Sequence, residues 1–151
     1  MEYIQAARGG DEGCLFCELV TRDDDEAALV LARADGAFAM LNAYPYNPGH
    51  LMVAPRRHVA DLEGLDDGEA LDCHRLLTRS LAVLREEMSP DGFNVGMNLG
   101  RVAGAGVPGH LHWHAVPRWN GDTNFMPVTG VTRVLPEALE DTYRKLHSHF
   151  E

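Results

Sequence analysis

Gly109-His110-Leu111-His112-Trp113-His114-Ala115-Val116 places three histidines at i, i+2 and i+4 inside an apolar run. Read as a β-strand, its period of two puts all three imidazoles on one face and Leu111, Trp113 and Ala115 on the other. Three adjoining imidazoles fill a hydrophobic core poorly, because every ring nitrogen needs a partner. They set a nucleophile, a metal ligand and a phosphate contact side by side. Trp113, on the opposite face, reads as core or as a layer beneath helices.

The flanking sequence supplies the rest of a sheet. Ala27–Ala34 and Ala37–Leu41 read as two strands joined by Asp35-Gly36, a dipeptide suited to a two-residue hairpin turn. Asn42–Gly49 contains Pro45 and Pro48 and is a loop, and His50–Pro55 is a third short strand. Asp66–Met88 is the strongest helical segment. Ala70, Leu71, Leu77, Leu81, Leu84 and Met88 form its apolar stripe, Leu76 and Val83 broaden it, and Ser89-Pro90-Asp91-Gly92 ends it. Phe93–Asn98 alternates as a fourth strand, and the glycine-rich Gly100–Gly106 loop leads into the histidine strand. Pro136–Phe150 reads as a closing helix with Pro136 near its first turn. The order β-β-β-α-β-β-α predicts an α+β fold on an antiparallel sheet.

Composition narrows the function classes. A chain of 151 residues is long enough for one domain with its own core; residues 1–13 read as a flexible arm and 14–151 as that domain. At 45% hydrophobic and 24% charged, wholesale disorder is excluded. The chain has no apolar run of about eighteen residues and no basic leader followed by an apolar core, so the expectation is a cytoplasmic protein without a membrane partner. The net charge of -10 argues against a nucleic-acid polymer as partner. It leaves room for a small phosphorylated ligand in a locally positive pocket. Three cysteines do not suit a disulfide framework. Cys14-x-x-Cys17 has metal-like spacing; a pair of small buried hydrophobes is the alternative. A redox pair is the weaker reading, since no helix of the expected kind is evident after it. Cys73 falls in the long helix and is assigned no role.

A neutral imidazole is a competent nucleophile at phosphorus. The run from Gly109 to Arg118 resembles the signature of the histidine-triad family of nucleotidyl hydrolases and transferases, in which hydrophobic residues separate three histidines. The likeness continues upstream through Phe38–Asn42, Pro48–His58 and Asn94–Gly100. Through Trp119–Val128 the chain looks like the family's bacterial diadenosine-polyphosphate phosphorylase branch. The resemblance implies a five-stranded antiparallel sheet with one long helix and a C-terminal helix, its sheets joined in a homodimer.

It also implies roles. His112, the middle histidine, would attack an α-phosphorus and become transiently nucleotidylated, while His114 would position and neutralise the phosphate oxygens. Asn42 matches the ribose contact. Asn98, and more weakly Arg101, are polar contacts to phosphate or leaving group, helped by backbone N–H groups beside Gly106 and Val107. Zinc-bearing relatives complete a Cys2His2 set, here Cys14, Cys17, His58 and His110, so a structural zinc and no organic cofactor are expected. Tyr44 and Tyr46 are placed to border a nucleobase, and Arg118 to approach phosphate from the strand's end. Trp119 with Asn124, Phe125 and Met126 is expected to form a lip over the site or an intersubunit contact.

One departure bears on the reaction. Many relatives carry Gln-Ser or Gln-Thr shortly before the first histidine, where this chain has Gly106-Val107-Pro108 and no side-chain donor. An open glycine loop suits a site that admits inorganic phosphate in the second step. The expectation is therefore phosphorolysis of a dinucleoside polyphosphate, with ADP and ATP formed from diadenosine tetraphosphate. Hydrolysis of dinucleoside polyphosphates or nucleoside phosphoramidates, and noncatalytic nucleotide sensing, remain open alternatives at this level.

Overall fold

A computed structural model describes residues 13–122 and 137–151. Its elements run α1 (Leu15–Thr21), α2 (Asp25–Ala28), β1 (Val30–Arg33), β2 (Ala37–Leu41), β3 (Leu51–Pro55), a 3-10 turn (Leu62–Gly64), α3 (Asp67–Met88), β4 (Gly92–Gly96), β5 (Trp113–Arg118) and α4 (Leu139–His147). The five strands form one antiparallel sheet in the order β1-β2-β3-β5-β4. The α+β expectation holds, including the two-residue Asp35-Gly36 hairpin, where Arg33 lies opposite Phe38 and Ala34 N–H donates to Ala37 O at 2.8 Å.

Both middle strands of the first hairpin pair, β2 and β3, are buried along their whole length. Their alternation feeds two separate cores. Ala37, Ala39, Leu41, Leu51 and Val53 join Leu76, Leu77, Val83 and Leu84 of α3 and Tyr143 and Leu146 of α4. Phe38, Met40, Met52 and Ala54 point the other way, onto Phe16 and Leu19 of α1. A strand covered on both faces reads as a continuous apolar run, as Leu51-Met52-Val53-Ala54 does. Trp113 packs on the helix side, as its register predicts.

Four sequence expectations are corrected. Ala27 and Ala28 belong to a helical turn, because the Asp24 side chain accepts from Ala27 N–H and starts α2; the strand begins at Val30. A helix, α1, does start at the cysteine pair, with Cys14 at its N-cap and Cys17 inside it. The histidine strand pairs only from Trp113 onward: Leu111 N–H donates to Val59 O at 2.7 Å, a loop partner that holds His110–His112 off the ladder. The stripe of α3 holds at Leu76, Leu77, Val83 and Leu84 but not at its start, where Ala70 is exposed and Leu71 is 46% exposed, while Cys73 and Ser80 turn inward. Its start is set by a reciprocal capping box between Asp66 and Glu69, and Ser89 in the left-handed region ends it. The closing helix is α4, capped at Ala138; Pro136, the tip residues Asn124, Phe125 and Met126, and residues 1–12 of the arm lie outside the described residues.

Candidate active site and metal cluster

β5 carries the site because its two neighbours frame His114, which lies opposite Met52 on β3 and opposite Gly96 on β4. Across the same face lies α1. Its Phe16 ring sits 4.8 Å from His112 and 5.1 Å from His110, centroid to centroid. Arg33 of β1 fastens this short helix. Its guanidinium donates to the carbonyls of Leu19, Val20 and Arg22 and to Asp25, satisfying acceptors that a helix end leaves without intrahelical partners.

The four expected metal ligands come together. One ligand atom from each of Cys14, Cys17, His58 and His110 lies within 4.8 Å of all the others. His110 Nδ1 is 3.4 Å from Cys14 Sγ and 3.6 Å from Cys17 Sγ, and His58 Nδ1 is 3.3 Å from Cys17 Sγ. His110 Nε2 is 2.8 Å from Pro55 O. A carbonyl only accepts, so Nε2 carries the proton and the Nδ1 lone pair points at the thiols. That is the tautomer and outer-shell arrangement a metal-ligating histidine requires. Two sulfurs and two imidazoles in this grouping fit zinc and leave no open position for a substrate. Cys73 is apart from the cluster in the helix-side core, where burial pushes its thiol up to about 12.

The same acceptor logic separates the other histidines. His112 Nδ1 lies 2.8 Å from His110 O, so it donates there and leaves the lone pair on Nε2. Burial lowers the His112 pKa, outweighing the carbonyl that raises it, and keeps the ring in the neutral nucleophilic form. His50 was read only as a strand start, yet it is completely buried and part of the site. Tyr46 N–H donates to His50 Nδ1 at 3.1 Å, so His50 Nε2–H donates to His114 Nδ1 at 2.9 Å. His114 then presents Nε2–H outward. Burial first, and the neighbouring His112 second, push its pKa down to about 4, so it serves as a neutral donor and not as a resident cation. The signal for His50 lay in Pro48-Gly49-His50. Gly49 has φ +80, and a Cβ there would meet Met88 Sδ at 2.7 Å, so only glycine turns the chain into β3 at that point.

Beside the histidines, Leu15, Leu19, Leu29, Met40, Tyr44 and Met52 line an apolar cavity of about 300 Å3. Asn42, which follows the lining residue Leu41 in the chain, is buried, and its Oδ1 accepts from Tyr44 N–H at 2.9 Å. Asn98 and Arg101 sit on the exposed turn before the triad, where Asn98 Nδ2 donates to Gly104 O. Val107 is buried with Cys14, Phe16 and Met52, and its carbonyl accepts from His110 N–H; Gly106 is half-buried beside it. Arg118 is taken up by Asp122, which it grips with Nε and Nη2, and by Asn94.

Residues 24–121 match the HIT domain. The chain belongs to the HIT family. It is 48% identical over 122 residues to AP-4-A phosphorylase of Mycobacterium tuberculosis, covering 81% of this chain and 63% of that relative's length. Adenosine 5'-monophosphoramidase hnt1 of Schizosaccharomyces pombe is 31% identical over 107 residues, which are 71% of this chain and 75% of that one. Among solved structures, a zinc-bound histidine triad family protein from Mycobacterium smegmatis superposes with a TM-score of 0.73 at 25% identity, over 93% of this chain and 95% of that chain. HIT relatives thus include enzymes that process nucleotides by phosphorolysis and by phosphoramidate cleavage. No described helix of this chain is long and apolar enough to cross a membrane.

Proposed function

We propose that this HIT protein is a dinucleoside-polyphosphate phosphorylase that works through a nucleotidyl-His112 intermediate. The observation that carries the reading is the His112 tautomer: Nδ1 is committed to His110 O at 2.8 Å, and Nε2 keeps its lone pair in a ring that burial holds neutral. The Nε2 pair attacks the α-phosphorus of the nucleotide. A P–N bond forms as the bond to the bridging oxygen breaks, and a nucleoside triphosphate leaves from diadenosine tetraphosphate. An oxygen of inorganic phosphate then attacks the same phosphorus; the P–N bond breaks, ADP departs, and His112 regains its lone pair.

One nucleoside occupies the apolar cavity, with Asn42 at the ribose. His114 Nε2–H, Asn98, Arg101 and the backbone N–H groups of Gly106 and Val107 hold phosphate oxygens. Cys14, Cys17, His58 and His110 hold zinc, whose part is structural: it clips α1, and with it Phe16, against the histidines. The protein works in the cytoplasm as a homodimer, its sheets joined edge to edge. The 48% identity to a phosphorylase supports the choice of phosphate over water as acceptor.

The deciding experiment resolves the products formed from diadenosine tetraphosphate with and without inorganic phosphate. Phosphate-dependent ADP plus ATP is expected. AMP plus ATP formed in water alone overturns phosphorolysis in favour of hydrolysis, and saturable binding without turnover makes the protein a nucleotide sensor. Elemental measurement on the native protein is expected to find about one zinc per chain, lost in Cys14→Ser; a folded, metal-free native protein overturns the zinc site.

A further inference from the structure

The site has a second opening beyond the apolar cavity. A groove of about 350 Å3 lies over β5 and β4, lined among others by Tyr46, Asn94, Gly96, Asn98, His114 and Arg118. Cavity and groove flank the triad along one line across the sheet. Met52, opposite His114 on β3, borders the cavity, and Gly96, opposite His114 on β4, borders the groove. The two positions are two strand spacings apart, about 10 Å. The volumes, about 300 and about 350 Å3, suit a molecule with two similar ends.

Gly96 is the informative residue. Its φ lies outside the region that demands glycine, and a Cβ built there meets nothing within 4 Å. Glycine inside a strand weakens it and marks places where a ligand approaches the backbone closely. Here the missing side chain keeps open the space directly across from His114.

The lining also has a chemistry. Arg118, the cation of the groove, is neutralised by Asp122, which further accepts from Asn47 and from Trp119 N–H. Without an uncompensated charge the groove suits a ring system better than a phosphate chain. Tyr46 supplies an aromatic wall: it is 54% exposed and lies 6.3 Å from His114 with the ring planes 19° apart. Exposed aromatic faces of this kind stack on nucleobases.

We propose that this groove receives the nucleoside end of the leaving nucleotide, and that Gly96 is the specificity-determining position that admits it. The inference rests on the reading of His112 as the nucleophile toward dinucleoside polyphosphates. One adenosine fills the cavity, the phosphates cross His112 and His114, and the second adenosine lies against Gly96 and Tyr46.

The test compares equilibrium binding of diadenosine tetraphosphate and adenosine 5'-tetraphosphate, which carries the same phosphates and one adenosine fewer. His112→Asn protein is the parent, so that ligands are not consumed. The dinucleotide is expected to bind the parent about tenfold tighter, the worth of one stacked base. Adding Gly96→Leu, which fills the groove, brings the ratio to about one, and Tyr46→Ala, a shortening of an exposed side chain, lowers the same ratio. Equal binding of the two ligands to the parent overturns the proposal, as does a ratio that survives both substitutions. A change in sedimentation caused by Gly96→Leu, with both ligands weakened alike, also overturns it and gives this face to a second copy of the chain. Turnover by the wild-type enzyme is read separately. If it releases no ADP and ATP, the reaction assignment fails, while the binding ratio still decides the groove.

Discussion

The two faces of the sheet are made by the same strands, yet they do different work. On the face covered by α3 and α4 the inward residues are mostly aliphatic or aromatic, with Cys73 and Ser80 among them, and they close into one core. On the face covered by α1, the apolar patch of Phe16, Phe38, Met40 and Met52 gives way to His114 on β5, to His110 and His112 just ahead of it and to His50 at the entry to β3. Each of these rings has a hydrogen-bond or sulfur partner that dictates which nitrogen bears its proton. Burial there sets chemistry as well as stability: the desolvation that consolidates the helix-side core holds His112 and His114 neutral on the other.

Three substitutions would break or sharpen this contrast. His112→Ala is expected to lower kcat by at least about a thousandfold, since among the described residues no other group offers a bare nitrogen at that place. Its thermal midpoint should stay near the wild-type value, and retained turnover would remove His112 as nucleophile. Leu84→Ala on the helix face should do the reverse. Leu84 is completely buried, so chemical denaturation is expected to show a loss of about 2–5 kcal/mol, while the folded fraction keeps its KM. A changed KM would mean that the two faces are coupled. The smallest effect is expected from His50→Leu, which removes the donor to His114 Nδ1. A kcat lower by about ten- to a hundredfold follows from leaving one buried polar atom unsatisfied, and His50→Gln, which retains an N–H donor, should recover part of it.

Much of the fold was legible because it depends on local patterns. The Asp35-Gly36 turn, the capping acid Asp66 ahead of a long amphipathic run and the apolar Leu51–Pro55 segment each carry their own signal. What misled was also local. The alanines at 27 and 28 are neutral about strand and helix, and the Asp24 cap decided for helix. The start of the α3 stripe misleads because Ala70 and Leu71 are apolar but face outward there, which a stripe drawn from composition cannot distinguish. In the site, Cys14, Cys17, His58 and His110 were assembled through a family resemblance; the spacing of the cysteine pair alone left a buried hydrophobic pair open. His50 is not legible as a site residue because its local signal, the Pro48-Gly49-His50 turn, reads as no more than the start of a strand.

The sequence by itself determined the period-two spacing of the triad, the antiparallel α+β plan and the cysteine pair, since these are properties of neighbours along the chain. Only the tertiary structure decided which nitrogen of each histidine is bare. That depends on acceptors brought from elsewhere: Pro55 O for His110, and the Tyr46–His50 relay for His114. It also decided that Arg118 is spent on Asp122 and that Gly96 stands across from His114. Proton placement and open space are set by what packs against a residue, and β5 meets those partners only after the sheet has closed around it.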